Sequence, residues 1–271
     1  MIPLDWKDRL QRDTDDFLLR KLSAGAYDID IIYNAYPERI EGKVPKEVIT
    51  FVSKAIASHV AKKPRDYVAF LDYLWARKGE NGKMAATYIL ARLVRKDAVF
   101  FLGKVRDYLQ TAHTQQEANL LLDKTVLPLL KNEPDTYLDV VVKWLKTSGS
   151  LPKKSIVKQL VKLCQFDADM LAHVFKRMET QWLYADEELI KINVEFMKSV
   201  GKLDPDFYAS IYDKYANTRN PEFVEILSGA VVLYAPPMEK AFNNWAQSGN
   251  ARLKRAALAG QKLLLRKKKE A

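Results

Sequence analysis

The residues best suited to chemistry lie at the end of the chain, where residues 251–271 hold eight basic residues and one acid. On a helix, at 100° per residue, Arg252, Arg255, Lys262, Arg266 and Lys269 fall within about a third of the circumference, while Leu253, Ala257 and Leu264 cluster on another side. A row of fixed cations at that pitch can follow a phosphate backbone, and each arginine can grip a phosphate through two parallel hydrogen bonds. These five are the candidate binding residues, with DNA or another polyanion as the expected partner. A terminal helix that needs only a polar outer face would show the same pattern. A membrane surface is not the expected partner, because the apolar side of this stretch carries no Trp or Phe.

Other chemistry is thinly represented. His59, His113 and His173 lie far apart, with no i, i+4 partner and no neighbouring cysteine, so no metal site is expected. Cys164, the single cysteine, sits among Leu160, Val161 and Leu163 and reads as a small buried apolar residue. The paired acids Asp15-Asp16 and Glu187-Glu188 point apart on a helix and suit its first turn. There is no Gly-rich phosphate loop, nucleophile elbow or kinase-like set, so neither a catalytic residue nor a cofactor is expected.

Charge elsewhere is uneven. Residues 43–106 carry fourteen basic residues against five acids, whereas 1–42 and 163–250 are net acidic, so the excess of +10 is concentrated in two blocks. Such asymmetry suits a polyanionic partner, although lysines that merely solvate helix faces would give the 43–106 block the same composition. With 48% apolar residues the 271-residue chain can bury a core, and ten glycines with eleven prolines are too few for the turns of an all-β fold. The first residues lack the apolar stretch of a signal peptide and no later run reaches about 18 apolar residues, so a reducing, cytoplasmic setting is expected.

The elements that must hold the basic row repeat along the chain. Helix-start signals stand at Pro64, Asp97, Pro134, Asp167, Asp204 and Pro236, spaced 33, 37, 33, 37 and 32 residues apart. Asp caps free amides and Pro is tolerated where no amide is needed. About ten residues after each start comes a large side chain: Trp75, Tyr108, Trp144, Met178, Tyr215 and Trp245. Between these helices lies a second set near 45–62, 82–96, 115–131, 153–166, 186–201, 221–234 and 251–268; in 221–234 the apolar residues keep helical spacing throughout. Short helix-breaking links force antiparallel hairpins, and a unit of about 35 residues needs a neighbour to bury its apolar face. The expected fold is all-α: a right-handed α-solenoid of about six to seven hairpins over residues 43–271, as one continuous domain. Residues 1–42, with helices expected at Trp6–Leu22 and Ile29–Tyr36, read as an irregular helical N-terminal cap.

The hairpins resemble HEAT repeats, most clearly in Trp245-Ala246-Gln247-Ser248-Gly249-Asn250-Ala251-Arg252-Leu253-Lys254-Arg255-Ala256-Ala257-Leu258. That string is also similar to the Trp-x-x-Ser-x-Asn…Arg-Ala-Ala segment of the bacterial DNA alkylation repair glycosylases of the AlkD type. The resemblance implies a basic surface that grips duplex DNA, and it gives Arg255 the position of the family's arginine. The family's carboxylate belongs to a Trp-Asp segment about one repeat upstream, where this chain reads Asp213-Lys214-Tyr215-Ala216-Asn217 without such a pair. The sequence therefore leads to a HEAT-like binding protein for duplex DNA or another polyanion. A base-excision glycosylase of the alkylation-repair type and a protein-interaction scaffold without a nucleic-acid role stand as alternatives.

Overall fold

Helices begin where the chain supplies a cap or a proline. In the computed structural model, which describes residues 2–270, Asp97, Asp186, Asp204 and Asn220 each accept the backbone N–H three residues on, at 2.8–3.2 Å. Pro64, Pro134, Pro205, Pro221 and Pro236 stand at first helical positions, where the absent N–H costs nothing. The protein is all-helical: 78% of the described residues are helix, and among them there is no strand, only an isolated bridge between Ile40 and Lys43. Met1 and Ala271, the outer ends of the 1–42 and 43–271 segments, lie outside the described residues.

The chain forms two compact units, divided between Asn132 and Glu133. In the first, α1 (Leu4–Asp16) runs on into a wide π-helical turn at Phe17–Leu22, and α2 (Asp30–Ala35) follows. Leu10, Phe17, Ile29 and Tyr33 from this segment are fully buried, and α1 packs on α3 (Lys46–Val60). Then come α4 (Val68–Arg77), entered through the tight turn Pro64–Tyr67, α5 (Gly79–Val94), α6 (Ala98–Gln110) and α7 (Gln115–Asn132). Helix α5 is the hub, packed by α3, α4, α6 and α7. Most of its residues from Gly82 to Val94 are buried.

The second unit holds α8 (Pro134–Lys143), closed by the turn Trp144–Lys146, then α9 (Ser150–Phe166), α10 (Met170–Glu179), α11 (Glu187–Leu203), α12 (Pro205–Tyr215), α13 (Pro221–Gly229), α14 (Pro236–Ala246) and α15 (Ala251–Glu270). Helices α9, α11, α13 and α15 pack successively, as do α8 with α10 and α12 with α14.

Within each unit polar contacts join alternate helices. In the first unit Asp72 takes Lys104 at 3.1 Å and the Tyr108 hydroxyl at 2.8 Å, and the Trp75 ring N–H donates to Thr111 at 2.9 Å. In the second, Asp139 holds Arg177 at 2.7 Å, Glu179 holds Lys214 at 2.7 Å and Asp213 holds Lys240 at 3.3 Å. The large side chains at the repeated position are core: Trp75, Tyr108, Trp144, Met178 and Trp245 are buried, and Tyr215 is half-buried.

Two local features depart from the periodicity. Helix α13 stops at Gly229 rather than continuing to residue 234. The buried hydroxyls of Tyr208 and Tyr212 donate to the carbonyls of Ala230 (2.6 Å) and Leu227 (2.8 Å), which supplies a dry helix end with partners that another helical turn would otherwise provide. The second is Trp182, fully buried after α10 although it falls outside the repeated register. Its ring N–H donates to Asn193 at 2.9 Å, and Asn193 in turn donates to the Leu189 carbonyl at 2.8 Å.

Candidate functional site

Helix α15 is placed by its first residues. The Ser248 hydroxyl accepts the Asn250 N–H at 3.2 Å, and the Asn250 side chain accepts the N–H groups of Arg252 and Leu253 at 3.0 and 3.1 Å, which caps the helix start. Leu253, Ala257, Gly260 and Leu264 form its buried face. Gly260 permits the approach of α14, since a Cβ there would lie 2.3 Å from Phe242 Cε1. Just upstream, Trp245 is buried and its ring N–H donates to the Tyr215 carbonyl at 3.1 Å. Thus Trp245, Ser248, Asn250 and Ala257, the residues that carry most of the family resemblance, are accounted for by packing and capping.

The buried face fixes where the basic residues point. Arg255, Lys262, Arg266 and Lys269 are exposed, and at 100° per residue they lie opposite Leu253, Ala257, Gly260 and Leu264. Among the described residues no ion pair joins any of these four to a carboxylate, and from the first to the last they span about 21 Å of helix. Arg252 is different. Its guanidinium takes both oxygens of Glu225, at 2.8 and 2.6 Å, and one of Glu222, at 2.8 Å. Those bonds, above all the two to Glu225, raise its pKa further. Lys267 and Lys268 are likewise held, by Glu270 at 2.7 Å and Glu239 at 2.6 Å. The structure therefore brings four of the five predicted residues into one line and turns Arg252 to a carboxylate pair.

Lys254, which sequence reasoning did not single out, lines the same outer face beside Arg255, Lys262 and Arg266. Its only advance signal is its charge, because its angular position lies off the main row. The face is not wholly polar either: Leu258, Leu263 and Leu265 are 43%, 38% and 57% exposed along its flanks.

The basic block at 43–106 is partly neutralised. Lys43, Arg65, Lys78, Lys83 and Lys104 pair with Glu80, Asp97, Asp28 and Asp30, Glu117, and Asp72. Lys62, Lys63, Arg95 and Lys96 follow the C-terminal ends of α3 and α5, where a cation complements the helix dipole. A cleft of the first unit between Trp75, Lys83, Tyr88 and Glu117 is lined by two of these matched pairs and holds little surplus charge.

Among the described residues no group of three His, Cys, Asp or Glu side chains could hold a metal. His59 meets the Tyr67 hydroxyl at 3.4 Å. Cys164 is buried, and desolvation pushes its thiol up to about 12, which keeps it protonated and unreactive at neutral pH. In the preceding hairpin Glu222 and Glu225 are engaged by Arg252, and Asp213 by Lys240. No described helix is long and apolar enough to cross a membrane. In comparisons with known proteins, no family model matches this chain and no curated protein matches it.

Proposed function

We propose that the protein is a helical-hairpin repeat protein of HEAT-like, α-solenoid type that works in the cytoplasm by binding a polyanion, duplex DNA being the favoured partner, through the outward face of α15. The observation that carries this reading is the line of Arg255, Lys262, Arg266 and Lys269, free of carboxylates while Arg252, Lys267 and Lys268 on the same helix are neutralised. Unpaired exposed cations need not break an internal ion pair before they meet a phosphate. Contacts of that kind position a partner without reading its bases, so the binding is sequence-tolerant. The engagement of Glu222, Glu225 and Asp213 supports binding over base excision, since none of the three is left free to stabilise a departing cationic base.

A second reading rests on Leu258, Leu263 and Leu265. Leucines beside cations suit an acidic protein surface better than a phosphate backbone, and they favour the interaction-scaffold alternative.

Fluorescence-anisotropy titration with duplex DNA at two salt concentrations separates the readings. Four phosphate contacts give a log–log salt slope of about −3.6. Lys262→Glu with Arg266→Glu is expected to flatten that slope by about two units. Absence of DNA binding at low salt sinks the first reading and leaves the second.

A further inference from the structure

A groove runs between α9 and α11 and shares no lining residue with the face of α15 described above. Lys153, buried in the first turn of α9, is ion-paired with Glu188 in the first turn of α11, so the two helices start together and run in the same direction. The floor of the groove is Val157, Val161, Ile190 and Val194, and its α9 edge is Lys154 and Lys158. Val161, Ile190 and Val194 are only partly buried, and the open groove offers about 730 Å³, room for several apolar side chains.

The first unit shows that packing does not require this floor. There Lys83 in α5 pairs with Glu117 in the first turn of α7, as Lys153 does with Glu188. Counting onward from the two pairs, the places of Val157, Val161, Ile190 and Val194 are taken by Thr87, Ala91, Asn119 and Asp123. The same helix pairing is thus built with small or polar residues in one unit and with a β-branched apolar floor in the other.

Charge indicates the occupant. Lys191 and Glu195 on the α11 edge are satisfied by Glu187 and Lys198, at 2.6 and 2.8 Å. Among the described residues Lys154 and Lys158 have no carboxylate partner. We propose that this groove docks an acidic amphipathic helix of a protein partner, with apolar residues at i, i+3, i+4 and i+7 on the valine–isoleucine floor and carboxylates against Lys154 and Lys158. A nucleic acid would leave the floor uncovered, and a flat bilayer would not fill a recess between two helices.

The test uses the full chain and a labelled helical peptide of about 16 residues, with Leu at those spacings and Glu elsewhere, next to a scrambled peptide of identical composition. Micromolar binding of the first peptide and at least tenfold weaker binding of the second are expected. Val161→Asp should weaken binding about tenfold or more, and Lys154→Glu with Lys158→Glu about threefold, as buried and rim positions differ. The rim variant stays informative if Val161→Asp proves unstable, because both lysines are exposed. Lys262→Glu with Arg266→Glu should leave peptide binding unchanged, which separates this site from the α15 face. Equal binding of the scrambled peptide, loss of binding only on reversal of the α15 charges, or no binding up to about 1 mM overturns the proposal.

Discussion

Lys83 Nζ lies 2.8 Å from Glu117 Oε2, both side chains nearly buried, and Glu117 also accepts the His113 backbone N–H at 2.8 Å. Thr114 completes the arrangement by accepting the Glu117 N–H at 3.2 Å, so one residue both caps α7 and ties it to α5. Lys153 and Glu188 repeat the tie in the second unit.

Acid should loosen both ties. Burial raises the Glu117 carboxyl, but Lys83 and the His113 N–H outweigh it, and the net shift is downward; Lys153 lowers Glu188 directly. A depressed folded pKa gives stability that is complete above the unfolded value, about 4.5, and is lost as pH falls through the folded one. Denaturant midpoints measured from about pH 6 to pH 3.5 should therefore fall, and fall less in Lys83→Met/Glu117→Gln. An unchanged pH dependence in that variant would remove the tie from the account.

Gly260 should not tolerate a side chain. Phe242 is fully buried and would lie 2.3 Å from the new Cβ, with the Ser228 side chain at 2.9 Å. Gly260→Ala is expected to cost about 1–3 kcal/mol, as overpacking does, despite the better helix propensity of alanine. Chemical denaturation measures it, and a gain in stability would contradict the close seating of α15.

Arg252 and Arg255 should behave differently in DNA binding although only two residues separate them. Removing the whole Arg252 cluster as Arg252→Ala/Glu222→Gln/Glu225→Gln should leave the salt slope near its wild-type value, because Arg252 is held by its two carboxylates and makes no phosphate contact of its own. Arg255→Ala should flatten it by about 0.9. Equal effects of the two changes would show that Arg252 leaves its carboxylates to meet the partner.

Trp144→Ala should destabilise the protein by about 3–5 kcal/mol, the usual cost of emptying a large core position. The side chain is only 6% exposed, at the close of α8. A thermal or denaturant midpoint unchanged by the substitution would contradict its place in the core.

What the sequence determined by itself was local. Asp97, Asp204 and the prolines at first helical positions mark helix starts because capping and φ restriction act within three or four residues. Apolar spacing assigns Leu253, Ala257 and Leu264 to one face of α15 for the same reason. Contacts between distant residues were decided only in three dimensions. Arg252 counts as one more cation in the sequence until the fold brings Glu222 and Glu225, about thirty residues away, against its guanidinium. The end of α13 depends on hydroxyls from α12, and the burial of Trp182 on Asn193 of α11, neither of which leaves a periodic trace. The groove between α9 and α11 likewise exists only when valines of one helix meet the isoleucine and valine of another. Charges and apolar side chains can be counted along a chain, but whether each is neutralised, covered or left open depends on which distant segment folds against it.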